Sequence, residues 1–80
     1  MDTETIRDFY GVIIGYVETD KRTGNKTFRN FQRVILGYYF KDRNVTTDFY
    51  QRIVARGDAG TGLITAAEQE RLAKEKALRH

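Results

Sequence analysis

The 80-residue sequence has no cysteine. A disulfide framework, a thiolate nucleophile and a zinc ribbon are therefore excluded. Its one histidine, His80, is the last residue. Histidine is the side chain best suited to proton transfer near neutral pH. A Ser-His-Asp triad or a His-ligated metal would rest on that terminal residue alone. No catalytic, cofactor-binding or metal-binding residue is assigned, no cofactor is expected, and a non-enzymatic role follows. Proline is absent and glycine numbers seven, so turns must be made by Gly, Asn and Asp. No run approaches the roughly 20 apolar residues of a membrane helix. The start, Met1-Asp2-Thr3-Glu4-Thr5, is polar and has no signal-peptide core. The expected setting is the cytoplasm, without membrane contact.

What is present fits a small folded protein. Apolar residues make up 40% and charged residues 31%, the balance of a globular chain rather than a disordered one. The length predicts a single domain over residues 1–80. The net charge of +3 is unevenly spread. Residues 7–56 hold ten Lys or Arg against five acids, and they also hold all ten Phe and Tyr. An anionic partner is compatible with that excess.

The chain repeats itself. Asp8-Phe9-Tyr10-Gly11-Val12-Ile13-Ile14-Gly15-Tyr16-Val17 aligns with Asn30-Phe31-Gln32-Arg33-Val34-Ile35-Leu36-Gly37-Tyr38-Tyr39. A third copy runs Asp48-Phe49-Tyr50-Gln51-Arg52-Ile53-Val54-Ala55-Arg56-Gly57. An Asp or Asn opens each unit, where its side chain can bond backbone N–H groups inside a type I turn. A β-branched and aromatic segment follows, as strands prefer. A short strand-like segment precedes each turn, so each unit reads as a hairpin. The linkers over 20–25 and 41–44 carry Gly, Asn and Asp and read as turns. The expectation is a mainly β fold: three tandem β-hairpin repeats over residues 5–57, at about 8–17, 30–39 and 48–57. They form a curved antiparallel meander, either an open sheet or a small barrel.

Strict alternation places Ile13, Ile35 and Ile53 on one face with Gly15, Gly37 and Ala55. The small residues of that column predict close approach by another layer. The other face takes Val12, Ile14 and Tyr16, then Val34, Leu36 and Tyr38. Strands apolar on both faces need cover on both. The tail differs in kind. Residues 58–64 read as a hinge, and a C-terminal helix is predicted over 65–79. Thr65-Ala66-Ala67-Glu68 has the form of a capping box, and Glu70–Lys74, Arg71–Glu75 and Glu75–Arg79 pair at i,i+4.

The rhythm of aromatic residue, Asp-x-x-Gly turn and β-rich return strand resembles bacterial tandem β-hairpin repeats of the YD-type and β-flower families. The resemblance covers residues 5–57. Those families place Gly-Arg directly after the turn, whereas here the pairs are Gly11-Val12, Arg33-Val34 and Gln51-Arg52. It implies a bacterial, non-catalytic β scaffold and carries over no functional residue.

The candidate binding surface is basic and aromatic: Arg29, Arg33, Arg52 and Arg56 with Tyr16 and Tyr38, accompanied by Arg7, Tyr10 and Tyr50. Sheets that bind single strands stack bases on rings and hold phosphates with Arg. The plainer role for these rings is core packing, with Arg stems along the rim. Arg56-Gly57-Asp58 matches an adhesion tripeptide but reads as a turn. Asp8 and Asp48 share a repeat position with Asn30, which suits turn capping and not acid–base chemistry. The functional expectation is a small interaction or scaffold module. Its partner is itself, as a homodimer, or another protein. A nucleic-acid-binding module is the alternative.

Overall fold

The computed structural model describes residues 2–77. Six antiparallel strands form one open sheet: β1 Asp2–Arg7, β2 Ile13–Thr19, β3 Lys26–Asn30, β4 Ile35–Phe40, β5 Val45–Asp48 and β6 Ile53–Arg56. Their spatial order equals their chain order, so every neighbour is a sequence neighbour. One helix, α1 Gly60–Ala77, follows. None of the described helix is long and apolar enough to cross a membrane.

Three turns share one hydrogen-bonding scheme. The Asp8 carbonyl accepts from Gly11 N–H at 3.0 Å, and Asp8 N–H donates to Val12 O at 2.9 Å. Asp8 Oδ1 accepts from Tyr10 N–H and Val12 N–H. Asn30 makes the corresponding bonds with Gln32, Arg33 and Val34. Asp48 makes them with Tyr50, Gln51 and Arg52. This is a type I turn closed by a left-handed fourth residue. That residue is Gly11 at φ 82°, Arg33 at φ 66° and Gln51 at φ 65°.

Each turn is followed by a bulge that overturns the strict alternation expected from the sequence. Ile6 pairs with Gly15 and Arg7 with Ile13, so Ile14 is the extra residue. Leu36 and Val54 are the extra residues of β4 and β6. A bulge inserts one residue on one strand only and shifts the phase of everything beyond it. Ile13 therefore shares a face with Tyr16, and Ile14 joins Gly15 and Val17 on the other. Ile35 likewise sides with Tyr38, away from Gly37.

The helix lies on the Gly15 face, across β2, β3 and β4. Its Ile64 forms the core with Ile14, Val17 and Phe28 of the sheet, and Ile6, Leu36, Tyr39 and its own Leu63 pack against that cluster. Phe28 and Ile64 are wholly enclosed, and burial of each is worth about 1.5–3 kcal/mol. The column of small residues admits the helix. A Cβ on Gly15 would lie 2.5 Å from Ile64 Cγ2, and one on Gly37 would lie 2.8 Å from Leu63 Cδ1.

The helix starts at Gly60, within the segment read as a hinge, and not at Thr65. Asp58 supplies the start: its Oδ1 accepts from Gly60 N–H at 3.3 Å, and its Oδ2 pairs with Lys26 Nζ at 2.6 Å. Thr46, fully buried, donates its hydroxyl to Gly57 O and accepts from Ala59 N–H. Gly60 is a poor helix former in isolation. Here any Cβ would enter the Phe28 ring, so packing selects it. Thr65 is interior and donates its hydroxyl to Thr61 O. The helix end expected at residue 79, the Glu75–Arg79 pair and His80 lie outside the described residues.

This packing sets a stability test. Ile64→Ala should cost about 2–5 kcal/mol in urea-induced unfolding, the range for a large-to-small change in a closed core. Gly60→Ala should destabilise as well, despite its higher helix propensity. A Gly60→Ala protein as stable as the parent would show that the helix does not sit on Phe28.

Candidate nucleic-acid interface

Among the described residues no helix lies on the opposite sheet face. The strand register assigns to it Thr3, Thr5 and Arg7 of β1 and Ile13, Tyr16 and Glu18 of β2. It adds Thr27 and Arg29 of β3, and Ile35, Tyr38 and Phe40 of β4. Val45 and Thr47 of β5, with Ile53 and Arg56 of β6, complete it. Tyr16, Tyr38 and Phe40 are half-buried there. Tyr38 and Phe40 lie side by side, centroids 6.1 Å apart.

Arginines stand over this floor. The Arg33 guanidinium lies 4.4 Å from the Tyr16 ring centroid, and that of Arg43 lies 4.7 Å from Phe40. Such contacts contribute about 0.5–1 kcal/mol at exposed sites. Arg29 Nε donates to Glu18 Oε1 at 2.6 Å, and its Nη1 donates to Arg33 O at 2.8 Å. Thus Arg29 holds the second turn in the shape that puts Arg33 on Tyr16. Charge is segregated between the faces. Arg7, Arg29, Arg33, Arg43 and Arg56 gather on the helix-free side, with Glu18 its one strand acid. The strand residues of the helix side include Asp2, Glu4 and Asp48 against Lys26.

The structure brings five of the six expected residues together: Arg29, Arg33, Arg56, Tyr16 and Tyr38. It sets Arg52 apart. Arg52 sits at the third turn, where its Nε donates to Asp48 Oδ2 at 2.8 Å and its guanidinium lies 5.4 Å from the Tyr50 ring. Two further residues belong to the face, Arg43 and Phe40. Arg43 lies in a linker turn, where period-two reasoning assigns no face.

Core packing does not account for most of the rings. Phe28 is buried, but Phe9, Tyr10, Phe49 and Tyr50 are exposed at the turns. These rings stand on the first and third turns, outside the helix cover. Arg56-Gly57-Asp58 is a structural turn, with Gly57 at φ 81° and its N–H on Asn44 O. Among the described residues no group of three or more His, Asp or Glu could hold a metal ion.

Asp48 adds a pH-sensitive contact. The Arg52 backbone N–H bonded to its carboxylate, then the Arg52 side chain, hold its pKa below the ordinary value of 3.8. A carboxylate with a depressed folded pKa stabilises above its unfolded pKa, and that stabilisation is lost as pH falls through the folded value. The parent should therefore lose stability on acidification below about pH 4. Asp48→Asn keeps the turn acceptor, as Asn30 does, and should lose less. Urea midpoints at neutral and acid pH check this, and equal losses would refute it. The turn backbone gives a second test. Gln51→Gly should raise stability by about 1 kcal/mol, because a left-handed residue with a Cβ is strained there. An unchanged urea midpoint would count against that strain.

Comparison with protein-family models, with curated proteins and with solved structures yields no match.

Proposed function

We propose that the chain is a non-enzymatic interaction module made of three tandem hairpins, each an Asx-capped turn between two strands. Its working surface is the helix-free face, and its ligand is single-stranded nucleic acid. The observation that carries this reading is the segregation of charge. Five arginines and three half-buried rings share the face opposite the helix, and among the described strand residues Glu18 is the one acid there.

The chemistry suits a flexible polyanion with flat bases. Guanidinium groups take phosphate oxygens in bidentate fashion. Rings and guanidinium planes both accept a stacked base, worth about 1–3 kcal/mol per base. The Arg33 guanidinium already lies over the Tyr16 ring, so an incoming base can slide between the two or take the place of either. A second reading is a protein partner. Ile13 and Ile35, both half-buried, give the same face an apolar floor that a partner's side chains would cover.

Fluorescence anisotropy with a mixed-sequence single-stranded oligonucleotide separates the two. Binding should weaken with salt at a log–log slope of about −2 to −3, as expected for roughly four phosphate contacts. Arg33→Glu should weaken it roughly tenfold or more and flatten the slope. Absence of binding at low salt, or binding indifferent to both salt and Arg33→Glu, would overturn the nucleic-acid reading.

A further inference from the structure

The three Asx-capped turns stand at one end of the sheet, and each carries Phe at its second position: Phe9, Phe31 and Phe49. A type I turn accepts most residues there, so the backbone does not ask for Phe. The fates of the three turns differ. Phe31 is covered by α1, whose Arg71 guanidinium lies 4.9 Å from its ring, and it is 36% exposed. At the third turn Arg52 lies over Tyr50. At the first turn, among the described residues, no cation lies over either ring. Val12 stands there where the third turn has Arg52. Phe9 is 96% exposed and Tyr10 85%, and their rings meet edge to face at 5.5 Å. Val12 extends the patch and is also exposed. A contiguous apolar group of this kind marks a contact surface.

The helix shows what fits such a tip. It crosses the sheet from Gly60 on Phe28, past Ile64 on Gly15, to Arg71 on Phe31. Residues 72–77 follow Arg71 in the helix and are all exposed. At 1.5 Å per residue they make about 9 Å of helix after it. Leu72 and Lys76 lie four apart on this stretch, hence on one side of it. Leu72 is an exposed large apolar residue. Each molecule therefore carries at one end both a bare aromatic tip and a helix segment of the kind that covers an equivalent tip in the same molecule.

We propose that two copies associate end to end about a twofold axis, each helix covering the first turn of the other. Leu72 packs on Phe9 and Val12, and Lys76 lies over the Phe9–Tyr10 rings as Arg71 does over Phe31. A twofold arrangement makes the two contacts identical and closes the assembly as a dimer. The surface is distinct from the helix-free face, so the proposal stands independently of nucleic-acid binding.

Sedimentation velocity on the full chain over a wide concentration range tests it. The parent should show a reversible monomer–dimer equilibrium. The double change Phe9→Ser with Tyr10→Ser should raise the dimer dissociation constant roughly tenfold or more. Leu72→Glu should do the same. Both variants should keep the parent's far-UV circular dichroism and urea midpoint, since neither residue set is buried. An equimolar mixture of the two variants should dimerise more tightly than either alone, because one intact contact is restored. A parent that stays monomeric throughout overturns the proposal. So does a dimer unaffected by the turn variant but broken by Tyr38→Glu, which would place the contact on the helix-free face. A dimer sensitive to the turn variant but not to Leu72→Glu removes the helix as its occupant.

Discussion

The contact between Gly60 and the Phe28 ring governs the architecture. A meander of six short strands has two faces and, among the described residues, one helix to cover them. Gly60 lets that helix start directly on the largest ring of the central strand. Asp58 and Thr46 fix the approach, through the pair with Lys26 and the bonds to Gly57 and Ala59. The helix then has a single course open to it. It runs over the glycines of β2 and β4, where side chains would stop it, and leaves the sheet at the second turn. The lid therefore covers three strands on one face and nothing on the other. Both candidate surfaces are consequences of that incomplete cover.

Local chemistry builds the sheet, and the turns do most of it. Each Asx cap closes a hairpin through bonds that span five residues, and each hairpin hands its strand to the next. Pairing of sequence neighbours keeps the closure entropy of every step low. The same turns decide the faces. The bulge that follows each turn moves Ile14, Leu36 and Val54 out of the regular alternation. Without it the isoleucines and the glycines would share a face, and the helix could not approach. With it the isoleucines, Tyr16 and Tyr38 form the floor of the helix-free side.

Much of the binding surface was legible in the sequence as composition, and less of it as position. Arg29, Arg33, Arg56, Tyr16 and Tyr38 could be singled out because basic and aromatic residues coincide within the repeats. Arg52 could not be told apart from them, because its capture by Asp48 depends on turn geometry. Arg43 escaped because a linker turn has no alternation to read, and Phe40, the last residue of β4, because it lies just past the repeat read over 30–39. The exposed rings of the turns were visible as a repeated Phe, yet ring size argues for burial by default. Only the course of the helix shows which turn it reaches.

The sequence was sufficient for the mainly β class, the antiparallel order, the turn positions and the terminal helix. These follow from interactions within a few residues: Asx caps, β-branched runs and helix-forming composition. It was insufficient for the helix start, the sharing of faces and the fate of each ring. Gly60 and Leu63 look like linker residues until Phe28 and Gly37 lie beneath them. Local propensity is a sum over neighbours in the chain, whereas a face is a relation between strands. A single inserted residue per hairpin inverts that relation without changing composition, and long-range packing alone registers the difference.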